Sequence, residues 1–196
     1  MNEAGDGEAG ASRDRRFVAI RRGGLLDDAT HRLIVAWAVD CAEHVLPLFS
    51  VVYPCDDRPR HAIEIARAWS RGEATVGEAR KAASSAHAAA REATVAAARE
   101  AARATGHAAA TGHMADHSLA AAAYAVKAAR SAVAPQQAPA AGVQECQWQR
   151  EQIPEALRSG QALGQRAASH ADLAGPHPAR AAGWTWLVAL GDQGNG

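Results

Sequence analysis

Alanine recurs in steps of three and four positions over residues 75–103, a stretch without proline that also carries arginine and glutamate. This spacing places the alanines on one stripe of a helix and most charged side chains away from it. Thr75 followed by Glu78 has the pattern of a capping box, which predicts where the helix begins. The sequence therefore predicts one long helix over residues 75–103, and a second helix over residues 107–134 that folds back on it as an antiparallel hairpin.

Other periodic stretches predict further helices. An apolar helix follows Asp27, whose carboxylate can cap it, and Pro47 should kink or break this helix because proline lacks an amide hydrogen. Pro59 begins another helix that Gly72 ends, and a last helix covers residues 144–158. The predicted fold class is all-α, an Ala-rich helical bundle of about five to seven helices with the long antiparallel hairpin at its centre.

The ends of the chain lack this periodicity. Residues 1–24 predict a flexible N-terminal tail, residues 25–158 the helical bundle domain, and residues 159–196 an irregular C-terminal extension. An apolar run containing Trp184 and Trp186 lies near the C-terminus. Because large apolar side chains need a partner surface, this end is expected to dock on the bundle or on a second copy, which would form a homodimer.

Composition and charge narrow the range of functions. The chain is 48% hydrophobic but only 5% aromatic, so its apolar share is mostly alanine, which favours helix over strand. Lysine plus arginine equals aspartate plus glutamate at 21 each, so no nucleic-acid partner is predicted. The most apolar segment, residues 33–53, is interrupted by Asp40 and Glu43 and is interpreted as a core helix, so no membrane partner is predicted. Three cysteines without a CxxC pair, and no apolar export signal, predict a cytoplasmic protein.

Two pairs of side chains, each four residues apart, are candidates for chemistry. His113 and His117 have the spacing that lets two imidazoles reach one metal ion. A third ligand would have to come from Asp40, His44 or Asp116, and only if the first helix packs opposite, so no metal or other cofactor is predicted. Asp40 could raise the basicity of His44, although hydrogen bonds inside a bundle explain both pairs as well. No catalytic residue is assigned, and the candidates are Asp40, His44, His113, Asp116 and His117.

Sequence motifs for known reactions are missing. No glycine-rich phosphate loop, GxSxG elbow, helix-turn-helix or zinc finger occurs, so the question of an enzyme stays open and leans towards none. Exposed charges and aromatic side chains are the better candidates for binding. The candidate binding residues are Trp37, Asp57, Arg58, Trp69 and Tyr124.

Four segments carry a resemblance to a known family: WAVDCAEHVLPLF, DDRPRHAIEIARAWSRGEATVGEARKAA, GHAAATGHMADHSLAAAAYAVKAAR and WQREQIPEAL. In order and spacing, they are similar to the Imm-5-like family of immunity proteins, of the type seen in actinobacteria. The resemblance implies an all-α protein of a toxin–antitoxin system that neutralises a toxin by binding it.

Two functions are left open. The favoured one is a non-catalytic binding protein whose partner is a protein toxin. The alternative is a self-resistance or biosynthetic protein that binds a small-molecule ligand in an internal pocket at Asp40, His44, His113 and His117. Trp37 and Trp69 would supply the aromatic walls that such a pocket needs.

Overall fold

The computed structural model describes residues 14–159, and the regular elements of that range are helical. Two short 3-10 helices, Arg15–Phe17 and Ile20–Arg22, precede the α-helices. The α-helices are α1 (Asp28–Val45), α2 (Pro47–Ser50), α3 (Arg58–Arg71), α4 (Val76–Glu92), α5 (Ala96–Ala110), α6 (His117–Ser131), α7 (Ala138–Glu151) and α8 (Glu155–Arg158). The predicted all-α, Ala-rich bundle is confirmed.

Helix α5 lies at the centre of the bundle. It packs against α1, α2, α3, α4 and α6, and its buried positions cover a wide face of the helix, while Arg99, Glu100, Arg103 and His107 lie on the remaining side. Nearly all of these positions are alanine, so the neighbouring backbones can approach closely. A helix with so wide an apolar face must be covered by several neighbours, and α5 lies among five other helices.

The single helix predicted over residues 75–103 is wrong. The Thr75 capping box is present and starts α4 as predicted, but the chain leaves the helix at Ala93, whose ψ is 124°, and re-enters it after Val95. The Tyr53 hydroxyl accepts a hydrogen bond of 2.8 Å from the amide of Thr94, which would otherwise bond within the helix. The segment therefore forms two packed helices, α4 and α5.

The antiparallel hairpin is formed instead by α5 and α6. Arg103 and His107 on α5 both contact Tyr124 on α6, and His107 also contacts His117 at the start of α6, so the two helices run in opposite directions. The predicted start of the second hairpin helix at residue 107 is wrong, because residues 107–110 complete α5.

Proline and glycine signals are confirmed at the first helices. Asp27 accepts a hydrogen bond from the Thr30 amide at 2.6 Å, and the helix breaks into α1 and α2 at Leu46, just before Pro47. Pro59 lies in the first turn of α3, and Gly72 ends that helix with a φ of 81°. The C-terminal helix differs from the prediction, since α7 begins at Ala138 with Pro139 in its first turn.

Part of the expected N-terminal tail falls inside the described range. There Phe17 is buried and packs with Leu26, Ile34, Ala115 and Leu157. The extension at residues 160–196, with Trp184 and Trp186, lies outside the described residues. Its docking and the homodimer stay predictions.

Residues 28–50, which form α1 and α2, are long and apolar enough to cross a membrane, and their most apolar 18-residue window has a mean hydropathy of 1.4. In the folded protein, 56% of that window is buried. A core helix has the same composition, so the segment is weak evidence for a membrane span.

Candidate functional site

Four imidazoles meet where α4, α5 and α6 come together. His107 on α5 lies between His87 on α4, at a ring-centroid distance of 4.8 Å, and His117 on α6, at 5.4 Å. His113, just before α6, is 5.3 Å from His117. The Tyr124 ring stacks on His107 with an angle of 8° between their planes. We call these five side chains the histidine face.

Burial and positive neighbours disfavour protonation of the histidine face. Burial lowers the pKa of His107 to about 4, and repulsion from His87 and His117, whenever they are protonated, and from Arg103 acts in the same direction. The pKa of His87 is lowered by burial and then by Arg103. Burial also lowers the pKa of His113, whose Nδ1 is buried without a hydrogen bond in the described part of the chain. His87, His107 and His113 are therefore held largely neutral at pH 7.

A second set of polar side chains lies between α1 and α7. The Glu145 side chain is only 3% exposed. Its Oε2 lies 2.8 Å from His44 Nδ1, and its Oε1 accepts a 2.8 Å hydrogen bond from the side-chain Nε2 of Gln149. The His44 ring stacks on Trp148 at 3.7 Å, and the Trp37 indole donates a 2.8 Å hydrogen bond to the Gln149 carbonyl. Because a buried carboxylate is costly without partners, this set fixes α7 on the bundle.

Asp40 belongs to a third neighbourhood, between α1 and α3. Arg67 donates a 3.1 Å hydrogen bond to Asp40 and another hydrogen bond to Glu43. Burial raises the pKa of Asp40, and the Arg67 charge opposes that rise. The contacts of Asp40 are therefore those of an interhelical ion pair.

The turn from α2 to α3 presents apolar groups to solvent. Phe49 is buried in the core, whereas Val51, two residues further, is 82% exposed and Val52 is 42% exposed. An open cleft of about 340 Å³ lies beside them. Its lining consists of Glu43, Leu46, Pro47, Ser50, Val51 and Arg60. We call this cleft, with Val52, the α2 corner.

Charged groups hold the chain next to the α2 corner in place. Arg58 donates to Asp56 at 2.7 Å and to Glu92 at 2.5 Å, which joins the start of α3 to the end of α4. The hydrogen bonds from Arg58 lower the pKa of Asp56. Asp57 is exposed at the N-terminus of α3, and its side chain makes no capping hydrogen bond. The corner thus combines an apolar centre with charges of both signs at its rim.

Comparison with known proteins identifies the family of this chain. Residues 24–156, well over half of the 196-residue chain, match the family described as Imm-5 like putative immunity protein. The chain belongs to this family. Neither the curated proteins nor the solved structures gave a match.

The candidate residues of this Imm-5-like protein fall into separate neighbourhoods. His113, Asp116, His117 and Tyr124 lie at or beside the histidine face, His44 and Trp37 contact α7, and Asp40 contacts α3. Trp69 packs edge-on against His31, at 4.8 Å between ring centroids. Asp40 thus contacts α3, whereas His113 contacts α6. No described contact joins the two side chains, and the pocket predicted for them stays a prediction.

Three residues of the described polar clusters were not predicted from the sequence. His87 and His107 belong to the histidine face, and Glu145 is the buried partner of His44. The spacing of four between His113 and His117 signalled part of the face, but His87 joins it from another helix. No local pattern predicts that contact.

Described residues contain no group of three or more histidine, cysteine or acidic side chains placed to hold a metal ion. Cys41 is buried, and burial raises the pKa of its thiol well above the ordinary value. Burial also raises the pKa of Cys146. Neither thiol has the lowered pKa of a nucleophilic cysteine.

Proposed function

We propose that this protein neutralises a protein toxin by binding it directly, in equimolar amount and without a reaction of its own. Membership of an immunity protein family supports a protein partner. The observation that carries the binding mode is the α2 corner, where Val51 is 82% exposed beside an open cleft. Apolar centres with polar rims are typical of protein interfaces.

The α2 corner supplies the elements of such an interface. Val51 and Val52 extend beyond the core, and Arg60 lines the cleft with no carboxylate partner among residues 14–159. The Arg58 network fixes the backbone beside it, so little conformational entropy is lost when a partner binds. We further propose a cytoplasmic, actinobacterial toxin–antitoxin setting, in which Cys41, Cys55 and Cys146 stay reduced as they are in the structure.

The test uses the product of the toxin gene adjacent to the gene for this protein. Cells that express the toxin should grow when the full chain is co-expressed, and toxin activity in vitro should vanish at equimolar protein. Protection at a small fraction of that amount would indicate turnover and contradict the proposal. Val51→Asp should weaken toxin binding at least about tenfold, because a charge would enter the apolar centre.

Val143→Asp is the matched control. Val143 is 62% exposed on α7, which packs on α6 rather than beside α2. Both variants should fold, since substitutions at exposed positions change the free energy of unfolding little. Equal protection by both variants would show that the α2 corner is not the interface.

A further inference from the structure

Basic side chains outnumber acidic ones around the histidine face. Lys127 Nζ lies 4.6 Å from the centroid of the Tyr124 ring, and the Arg103 guanidinium carbon lies 5.6 Å from it. Arg91 and Arg103 both act on His87, and Arg80 acts on His113. Within residues 14–159, none of these four basic side chains forms an ion pair with a carboxylate.

This excess of basic side chains is local, because the whole chain has a formal charge of zero. Several arginines at the other surfaces are bridged to acidic groups, as Arg58 is to Asp56 and Glu92. On the histidine face, the permanent charges that act on His87 and His107 come from Arg91 and Arg103. Asp116 is the acidic group that acts on the cluster, through His113.

We propose that the histidine face, with Arg103 and Lys127, is a second binding surface, and that its occupant is an acidic segment of a protein partner. A carboxylate that bridges Arg103 and Lys127 would pair with two cations and would lie beside Tyr124, which both of them contact. Charge complementarity of this kind sets the orientation and rate of association. The proposal concerns a different surface from the α2 corner and does not depend on it.

An acidic protein segment fits this surface better than a nucleic acid does. Proteins that bind single strands offer free aromatic rings on which bases stack. The Tyr124 ring has His107 stacked against it, at a plane angle of 8°, and the Lys127 ammonium lies over the ring. A chain of zero net charge also lacks the long-range positive field that draws polyanions to a protein.

The histidines make the binding depend on pH. Groups facing the cluster come from α4 (His87, Arg91 and Arg80), α5 (Arg103 and His107), α6 (His117, Tyr124 and Lys127) and the preceding turn (His113 and Asp116). An anion bound among them favours the protonated imidazoles, so binding takes up protons. Affinity should therefore increase as the pH falls from about 7.5 to about 5.5, where glutamate side chains are still ionised.

The experiment measures fluorescence anisotropy of a labelled oligoglutamate peptide with the full chain at low salt. A single-stranded DNA of equal charge and inorganic phosphate as a competitor are the other probes. Relative to the natural chain, Arg103→Glu together with Lys127→Glu should weaken peptide binding at least about tenfold, since like charges replace attraction. Peptide binding to the natural chain should be a few times tighter at about pH 5.5 than at about pH 7.5.

Arg22→Glu together with Arg150→Glu is the matched control, with the same change in net charge at other surfaces. Equal weakening by the two double variants would show attraction by net charge alone and overturn the proposal. Tighter binding of the DNA than of the peptide, or full displacement of the peptide by millimolar phosphate, would overturn the protein assignment. If the charge reversal unfolds the chain, Arg103→Gln with Lys127→Gln gives the same comparison with a milder change.

Discussion

Acidification should destabilise the packing of α4, α5 and α6, and His107→Gln should remove most of that sensitivity. His107 lies between His87 and His117, with Tyr124 stacked on its ring. A proton added to this imidazole in the folded protein would meet a half-buried site and cationic neighbours. Glutamine keeps a polar side chain of similar reach but cannot be protonated in this range.

The magnitude follows from the two pKa values of His107. The ordinary value is 6.5 and the folded value is about 4, lowered first by burial and then by His87, His117 and Arg103. Between these values the unfolded chain binds the proton and the folded chain does not, so stability is complete above pH 6.5 and is lost as the pH falls towards 4. The full difference would correspond to about 3 kcal/mol, and solvent screening of this half-buried side chain reduces it to about 2 kcal/mol, which is still a large part of a typical domain stability of about 5 to 15 kcal/mol.

The assay is urea unfolding followed by circular dichroism at about pH 7, 5 and 4. At about pH 7, His107→Gln should be less stable by about 1 kcal/mol, because the contact with Tyr124 and the 3.4 Å hydrogen bond between His107 and His117 are lost. At about pH 4 the order should reverse. Carboxylates titrate in both proteins, so the difference between them isolates residue 107.

His61→Gln is the matched control, since His61 is exposed on α3. Its curve should follow that of the natural chain at all three pH values. Parallel curves for His107→Gln and the natural chain would refute the reasoning, because the proton affinity of His107 would then be equal in the folded and unfolded states.

Two further predictions concern packing. Gly106→Ala should destabilise the fold by about 1 to 3 kcal/mol in thermal unfolding, although alanine is the better helix former, because its Cβ would lie 2.6 Å from the His87 ring; a stabilised variant would contradict this. His44→Ala should cost about 1 to 3 kcal/mol by leaving the Glu145 carboxylate buried with one partner fewer, whereas Glu145→Gln added to it should restore part of the loss. A double variant whose loss equals the sum of the two single losses would show that the pair is not coupled.

Signals that act within a few residues predicted the fold well. The Thr75 capping box, the cap at Asp27, the break before Pro47 and the end of α3 at Gly72 all depend on neighbouring backbone groups, and all are present. The all-α class follows from the alanine content in the same way. Such features can be read from sequence because their causes and effects lie within one helical turn.

The break between α4 and α5 has a cause that is far away in the sequence. Ala93, Thr94 and Val95 contain neither proline nor glycine, and the group that takes the Thr94 amide is the hydroxyl of Tyr53, 41 residues earlier. β-Branched Thr94 and Val95 only weaken the helix. A local pattern could therefore not distinguish one long helix from two.

Prediction of the candidate site from the sequence was also limited by contacts between distant parts of the chain. Spacing placed His113 and His117 together and placed Asp40 near His44, but the helices that face them decide the chemistry. Asp40 pairs with Arg67 on α3, while His44 pairs with Glu145 on α7. Two residues on adjacent turns of α1 thus have partners on different helices, and the internal pocket predicted at Asp40, His44, His113 and His117 stays a prediction.

Alanine packing also explains why the imidazoles meet. Gly106 lies under the His87 ring, and α5 is buried on the sides that face α4 and α6 through alanine side chains. Close backbones bring the longer side chains at the edge of these contacts together, which is how His87, His107 and His117 come within ring contact across three helices. The small residues that reduce the apolar area of the core therefore also concentrate titratable groups at its margin. If a larger side chain at position 106 separated α4 from α5, acid sensitivity and peptide binding at the histidine face should weaken together.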